Sequence, residues 1–459
     1  MSEEGVKVVT KVNVNKCTIN DLFIHYVKNE FYVNRRYQRK LVWDIYDKKL
    51  LIDSIIRGIP LPALLLSEYM ENGEAIVEIA DGMQRIETII SFMLGEFSVK
   101  YDDEECFFDP YAHPDTFNLV MDNKLKARQD VKFLPRDICI DFYRSEIPVI
   151  VTDKDEKAIE LIFSRINSTG KKISSQDLRQ SKAIGVCSDL VRRVACRLRG
   201  DYTYSDRVCL CAMKKISVGQ KEYGYGVDIE TVFWRRHDLI IKSAMKESKD
   251  EEIIESLIAT VLLGDKFRKC KDSLDNLYDI HSTLGKLVES KVRLYDKRQL
   301  EDKFAQVFNV IDNIFSSVDS NFTDWVFDDH RNIRNKDECF KVLYLALYQL
   351  LDEHYVVDDY RDVAESIHDA NNAFDKITTQ IKVDYDEVKK QIGVIYAILK
   401  EHMMLEIKAK VVSEVEKEID KRLKYSTIER QMTEFKIAVS NHTSSNKLNT
   451  HCMEQIEKT

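Results

Sequence analysis

Asp81-Gly82-Met83-Gln84-Arg85 lies between a strand-like run, Ala75–Ile79, and a helix-like run from about 84 to 94 that stops at Gly95. The chemistry of such a turn favours an anion. The first turn of a helix has unpaired N–H groups and a partial positive charge. A glycine lets backbone approach a ligand closely, and an arginine one turn in can close on a phosphate with two donors. Helix N-termini after glycine turns are ready phosphate sites. The plainer reading of the same residues is a turn, a helix cap and a surface salt bridge. Other reactive residue types show less pattern. No two of the ten cysteines have C-x-x-C spacing, so zinc and dithiol redox motifs are not indicated. His330-Arg331-Asn332 lacks a strand-and-helix setting for a nuclease metal. Arg361 and His368 fall at a spacing that chance supplies often.

The elements around the turn can be placed from local signals. Thr18-Ile-Asn-Asp21 resembles a capping box with Asp in the Glu position, opening a short helix through Leu22, Phe23, Tyr26 and Val27. Residues 31–33 read as a strand. A helix is expected from Asp44, burying Ile45, Leu50, Leu51, Ser54 and Ile55 and stopping at Gly58. Residues 62–67 and 75–79 are expected to pair as strands across Asn72-Gly73, a strong hairpin dipeptide. Residues 137–142 and 147–151 read as two more strands. From about 154 the pattern turns helical: 156–165, then 174–200 with a break at Gly185. Residues 201–228 read as a loop with a hairpin, and helices continue to about 440. The stretch 380–437 is expected to form one or two long helices.

Composition agrees with that division. All six prolines fall in the first third, and the last 311 residues have none. A β-sandwich or barrel throughout is thereby excluded, since such folds need frequent turn residues. The expected fold is α+β: an α/β domain over 1–152, a basic helical connector over 153–228, an all-α domain over 229–440 and a polar tail over 441–459. Net charge is −9, which names no partner. Residues 161–200, however, carry a net +7, including Lys171, Lys172, Arg192, Arg193 and Arg197. With the tyrosines that follow (Tyr202, Tyr204, Tyr223, Tyr225), this suggests phosphate contacts with stacking. Residues 101–109 run acidic. A solvated face is the simpler account of both charge runs. No signal peptide or membrane-length apolar run is seen, so a cytoplasmic chain with free thiols is expected.

Three further segments give the turn a context. Arg36-Tyr37-Gln38-Arg39-Lys40-Leu41-Val42-Trp43 precedes Leu51-Ile52-Asp53-Ser54-Ile55-Ile56-Arg57-Gly58-Ile59-Pro60-Leu61-Pro62, and Phe163-Ser164-Arg165-Ile166-Asn167-Ser168-Thr169-Gly170 to Ser174 lies downstream. Together with Asp81–Arg85 and Thr88, these four ordered blocks resemble the N-terminal domain of GmrSD-type modification-dependent restriction proteins, whose hallmark is a DGQQR motif. Met83 stands where the family has the first Gln.

The resemblance implies a ParB/sulfiredoxin-like fold for the front third, and nucleoside-triphosphate hydrolysis coupled to sensing or restricting foreign DNA. Carried over, Asp81, Gln84 and Arg85 would be catalytic. Gln84 would orient a water or phosphate, and Arg85 would neutralise developing charge. Asp81 would cap the helix, bind a metal or act as base, in that order of preference. Gln38, Arg39, Gly82, Thr88, Arg165 and Asn167 would complete a nucleotide site. The implied cofactor is a nucleoside triphosphate with Mg2+; no protein-bound metal site is expected. The expected partners are a nuclease or effector chain, DNA, and a second copy through the C-terminal helices, with no membrane. The competing expectation is a non-catalytic nucleic-acid-binding module.

Overall fold

The computed structural model describes residues 13–35, 38, 40–71, 73–152, 174–180, 185–201, 203, 205–219, 224–327, 333–406, 413–415 and 417. The front of the chain folds as β1 (Asn13–Thr18), α1 (Ile19–Val27), β2 (Phe31–Asn34), α2 (Ile45–Ile56), β3 (Leu64–Glu71), β4 (Glu74–Asp81) and α3 (Met83–Met93). It continues through β5 (Val99–Tyr101), β6 (Glu104–Phe107), α4 (Pro114–Met121), β7 (Lys132–Phe133), α5 (Arg136–Arg144) and β8 (Glu146–Thr152). The capping box is present: the Thr18 hydroxyl accepts from Asp21 N, and Asp21 accepts from Thr18 N at 2.9 Å. Asp44 caps α2, and Gly58 beyond its end sits at φ +67°, a left-handed position that glycine fills at little cost.

Two expectations are corrected here. Residues 137–142 are helix, not strand. Pro135 O accepts from Cys139 N, and Cys139 and Phe142, three apart, are the buried positions. The alternation of apolar residues in this run mimicked a period of two. In α2 the buried residues are Lys48, Leu51, Ile52 and Ile55, while Leu50 faces outward. Lys48 takes an inward place because Glu87 of α3 waits there, with Nζ–Oε2 at 2.8 Å.

The main sheet has six strands in the order β1-β8-β3-β4-β2-β9, where β9 is Arg207–Cys209. β4 pairs antiparallel with β3 across the expected hairpin and parallel with β2. β9 pairs antiparallel with β2, matching Val33 with Val208. The chain therefore returns to the sheet after the connecting helices α6 (Ser175–Gln180) and α7 (Val186–Leu198). Helix α8 (Leu210–Ile216) follows β9, and Leu210, Met213 and Tyr225 join the core of the α/β unit. A loop was expected over this stretch. Three-residue strands and a seven-residue helix are too short to leave a periodic signal.

The acidic run of 101–109 spans the tight turn between β5 and β6 and β6 itself. Asp102 and Asp103 have positive φ between β5 and β6, and Glu105 pairs with Lys49 of α2 at 2.7 Å.

Beyond α8 come the two-residue strands β10 (Val218–Gly219) and β11 (Val227–Asp228), then helices. These are α9 (Phe233–Arg236), α10 (Lys242–Lys246), α11 (Lys249–Leu263), α12 (Lys271–Tyr278), α13 (Thr283–Val292), α14 (Lys297–Ser316) and α15 (Phe322–Phe327). The series ends with α16 (Lys336–Asp352), α17 (Tyr360–Asp369), α18 (Asn371–Thr378) and α19 (Tyr385–His402). Their apolar faces share one core around Trp234, whose ring meets Phe308 and Phe340 edge-on at 5.6 and 5.5 Å. The fold is thus mixed α/β in front and mainly helical behind, where the described strands are two-residue pairs. Helix α19 stops at His402, where Met404–Leu405 turn back to pair with Tyr355–Val356. Among the described residues, no helix is long and apolar enough to cross a membrane.

Candidate functional site

β4 delivers Asp81 to the edge of the turn, and Gly82 makes the turn possible. Its φ of +100° is a conformation that L side chains rarely adopt, and a Cβ here would lie 2.2 Å from Leu64 Cδ2 on β3. Gly82 is the N-cap of α3, and no side chain caps that end by hydrogen bond. The first-turn N–H groups therefore keep their partial positive charge without a side-chain acceptor. Asp81, preferred as the cap, does not cap. Its Oδ2 instead accepts from Arg85 Nη2 at 2.9 Å.

Arg85 is pinned on three sides. Nη1 donates to Pro62 O, and Nη2 donates to Ala63 O at 3.2 Å and to Asp81. The Pro60-Leu61-Pro62 block and the Asp81–Arg85 block thus meet through this guanidinium. Burial lowers the proton affinity of Arg85, and Asp81 pulls it back up.

Gln84 reaches the other way. Its Oε1 accepts from Val42 N at 3.2 Å and Trp43 N at 3.3 Å, and its Nε2 donates to Lys40 O at 3.1 Å. Gln38 answers from the same segment, donating through Nε2 to Ile79 O at 3.3 Å and to Ala80 O. The two glutamines lace residues 38–43 to the end of β4 and the start of α3. In this arrangement Gln84 is a positioning residue for the 40–43 backbone. Met83, at the family's first Gln position, is buried in the core of the α/β unit. Thr88, expected at the nucleotide, is also fully buried; its hydroxyl bonds back to Gln84 O at 2.7 Å.

Arg39, Arg165, Asn167, Lys171 and Lys172 lie outside the described residues, as do Tyr37, Tyr202, Tyr204, Tyr223 and His330-Arg331-Asn332. The α7 arginines are paired within the fold. Arg192 donates to Asp189 at 2.6 Å and to Asp206 at 2.5 Å, Arg193 to Asp189 at 3.2 Å, and Arg197 to Asp302. Arg361 pairs with Glu365 on its own helix, and His368 Nδ1 lies 2.9 Å from Trp325 O. Among the described residues, no three His, Cys, Asp or Glu side chains converge as a metal site. A Mg2+ carried by phosphates needs only one or two protein carboxylates. Asp81 fits that need through Oδ1, since Arg85 engages Oδ2.

Several supports of the site come from far along the chain and were not anticipated. Ser217 Oγ accepts from Leu41 N at 3.0 Å, and Tyr225 OH donates to Trp43 O at 2.8 Å. Lys214 of α8 reaches Glu87 and Glu96 and donates to Ser91 at 3.2 Å, and burial pulls its pKa down to about 8. The usable signal was Gly219-x-x-x-x-Gly224-Tyr225-Gly226. A Cβ on Gly226 would sit 1.9 Å from Lys215 O, and one on Gly219 would sit 2.6 Å from the Tyr225 ring. The glycines mark where backbone packs against backbone and ring.

No curated protein matches the chain. Residues 19–184 match the family model of the GmrSD restriction endonuclease N-terminal domain, so the α/β part of this chain, with the segment that leads into α7, is similar to that domain.

Proposed function

We propose that this protein is a nucleotide-binding, NTP-hydrolysing sensor of a restriction or anti-phage system, acting with a nuclease on a partner chain. The observation that carries the reading is the turn itself. Gly82 opens the N-terminus of α3 without a side-chain cap, and Arg85 is anchored beside it by Asp81 and two backbone carbonyls. Preorganised N–H groups and a fixed cation suit charge that develops on a transferring phosphoryl group. With a triphosphate bound, its Mg2+ would supply further charge neutralisation. Asp81 would offer Oδ1 to that ion, Arg85 would face the phosphates, and Gln84 would hold the 40–43 backbone that walls the site.

Phosphate release from ATP, GTP and CTP by the full-length protein tests this, beside calorimetric binding of each. Arg85→Lys keeps the charge but loses the fork and should lower turnover strongly while the circular dichroism spectrum is retained. A wild-type protein that binds none of the three nucleotides ends the reading. The strand-binding alternative loses support from the ion pairs of Arg192, Arg193 and Arg197. Reversing charge at Arg192 is expected to destabilise the fold. A flatter salt dependence of DNA affinity with stability unchanged would restore that alternative. Co-purification with a nuclease chain tests the partner.

A further inference from the structure

A cavity of about 50 Å³ lies where the α/β unit meets the helical unit. Its wall includes Arg35, Gln38 and Lys40 from the segment after β2, and Arg192, Arg199, Lys246 and Glu251 from the helical side. One water needs roughly 10–15 Å³, so there is room for a larger occupant. Five cationic side chains and one carboxylate line this space, and that carboxylate, Glu251, pairs with Arg199 Nη1 at 2.7 Å.

Four of the cations have firm partners. Arg35 donates to Asp201 at 2.5 Å, Arg192 to Asp189 and Asp206, Arg199 to both oxygens of Asp250 at 2.7 Å, and Lys246 to Asp44 at 3.2 Å. The cations line the cavity, whereas Asp201, Asp189, Asp206, Asp250 and Asp44 do not. Lys40 differs. Its Nζ is buried and makes no hydrogen bond, although Asp201 Oδ2 lies 3.2 Å away. That oxygen already accepts from Arg35, and Oδ1 of the same carboxylate accepts from Thr203 N. Burial lowers the proton affinity of the Lys40 amine despite Asp201. A buried amine whose ion pair with Asp201 at 3.2 Å lies outside hydrogen-bond geometry is left short of acceptors, which is costly, and an oxyanion placed before it would reduce that cost.

We propose that this cavity is an anion site that takes a phosphate group through Lys40, with Arg35, Arg192 and Arg199 around it. An occupant would touch both units at once. Gln38 lines the cavity and also donates to Ala80 O, one residue before Asp81. The site therefore sits one hydrogen bond from the DGMQR turn and is positioned to report its state to α7. Free phosphate and the terminal phosphate of a nucleotide present the same oxygens. The proposal stands apart from hydrolysis at the turn.

The test is calorimetric titration of the full-length protein with inorganic phosphate, and in separate arms with a non-hydrolysable nucleoside triphosphate and the bare nucleoside. Phosphate should bind wild type, weaken about tenfold or more in Lys40→Met and Lys40→Gln, and keep its affinity in Lys40→Arg. Triphosphate that displaces phosphate in a Lys40-dependent way assigns the terminal phosphate. Triphosphate that binds without displacing it assigns free phosphate. Absence of phosphate binding, or equal binding by wild type and both neutral Lys40 variants, means the cavity holds water only and overturns the proposal. Phosphate binding at Lys40 in a protein that binds no nucleotide would remove the NTPase reading and leave this one. Nucleotide turnover without a phosphate site would do the reverse.

Discussion

Gly82→Ala is the most direct challenge to this account of the turn. The substitution adds one carbon at φ +100°, ψ +10°. A left-handed backbone costs an L residue roughly 1–2 kcal/mol. The new Cβ would also lie 2.2 Å from Leu64 Cδ2 and 3.2 Å from Arg85 Nη2. Leu64 is fully buried, so its methyl has no open space to retreat into, and overpacking of this kind costs about 1–3 kcal/mol. The sum is a loss of about 2–5 kcal/mol, measured by equilibrium unfolding in guanidinium. A double-mutant cycle separates the parts. Leu64→Ala alone should cost about 2–5 kcal/mol, and the pair should recover about 1–3 kcal/mol as coupling, leaving the backbone strain. A Gly82→Ala protein within about 0.5 kcal/mol of wild type, or a cycle without coupling, would refute both the strained turn and its contact with β3.

Three further outcomes follow from other contacts. Lys48 and Glu87 are both almost fully buried and lie 2.8 Å apart; Lys48→Met should cost about 3–5 kcal/mol in the same unfolding assay, and adding Glu87→Met should return most of it. Burial alone would raise the Asp201 carboxyl, but Lys40, Arg35 and the Thr203 N–H outweigh it and hold it at about 2. Its folded value lies below the unfolded one of about 3.9, so the stabilisation of about 2 kcal/mol is present above pH ~4 and lost as pH falls toward ~2; Asp201→Asn should flatten that part of the pH–stability curve. Gln84→Leu leaves the Val42 and Trp43 amides without their acceptor and should cost about 1–3 kcal/mol, read as faster hydrogen exchange at those two amides with little change elsewhere in the sheet.

How much of this was legible beforehand depends on how local the cause is. The Thr18 box, the Asp44 cap, the Gly58 stop and the β3–β4 hairpin are decided by a few adjacent residues, and the sequence pattern placed all four. The break at Gly185 was legible too, although its reason was not: Glu289 of α13 accepts from Val186 N and Cys187 N at 3.0 and 2.9 Å, so a carboxylate from about a hundred residues on caps α7. The strand expected over 137–142 failed because six residues of alternating character fit two periods. The outward Leu50 and inward Lys48 failed because a charge entered the core to meet its partner. The return of β9 to the sheet was illegible for the same reason as the Ser217 and Tyr225 bonds: one short strand or one side chain carries a tertiary contact that no window of sequence contains. The net +7 of residues 161–200 misled in part, since the carboxylates that pair with Arg192 and Arg197, Asp206 and Asp302, lie outside that window.

The two glutamines show why a motif can point to a site without touching a ligand. Gln38 spans from the segment after β2 to the carbonyls that end β4, and Gln84 spans back from α3 to the amides before α2. Each is a long, neutral side chain with a donor and an acceptor at one end, which suits it to bind a backbone whose N–H and C=O groups have no strand partner. A charged residue in either place would bring a buried charge with no counter-ion. The Met at position 83 fits the same logic, because that position faces the apolar core while 82, 84 and 85 face the turn. The residues left for an anion are then the first-turn amides and Arg85. The stiffness of their surroundings comes from Gln38, Gln84, Leu64 and, through Ser217 and Tyr225, a part of the chain that reaches the sheet only after passing through the helical connector. A displacement of α7 or α8 would be felt first at the 40–43 segment, the wall that the candidate turn and the Lys40 cavity share.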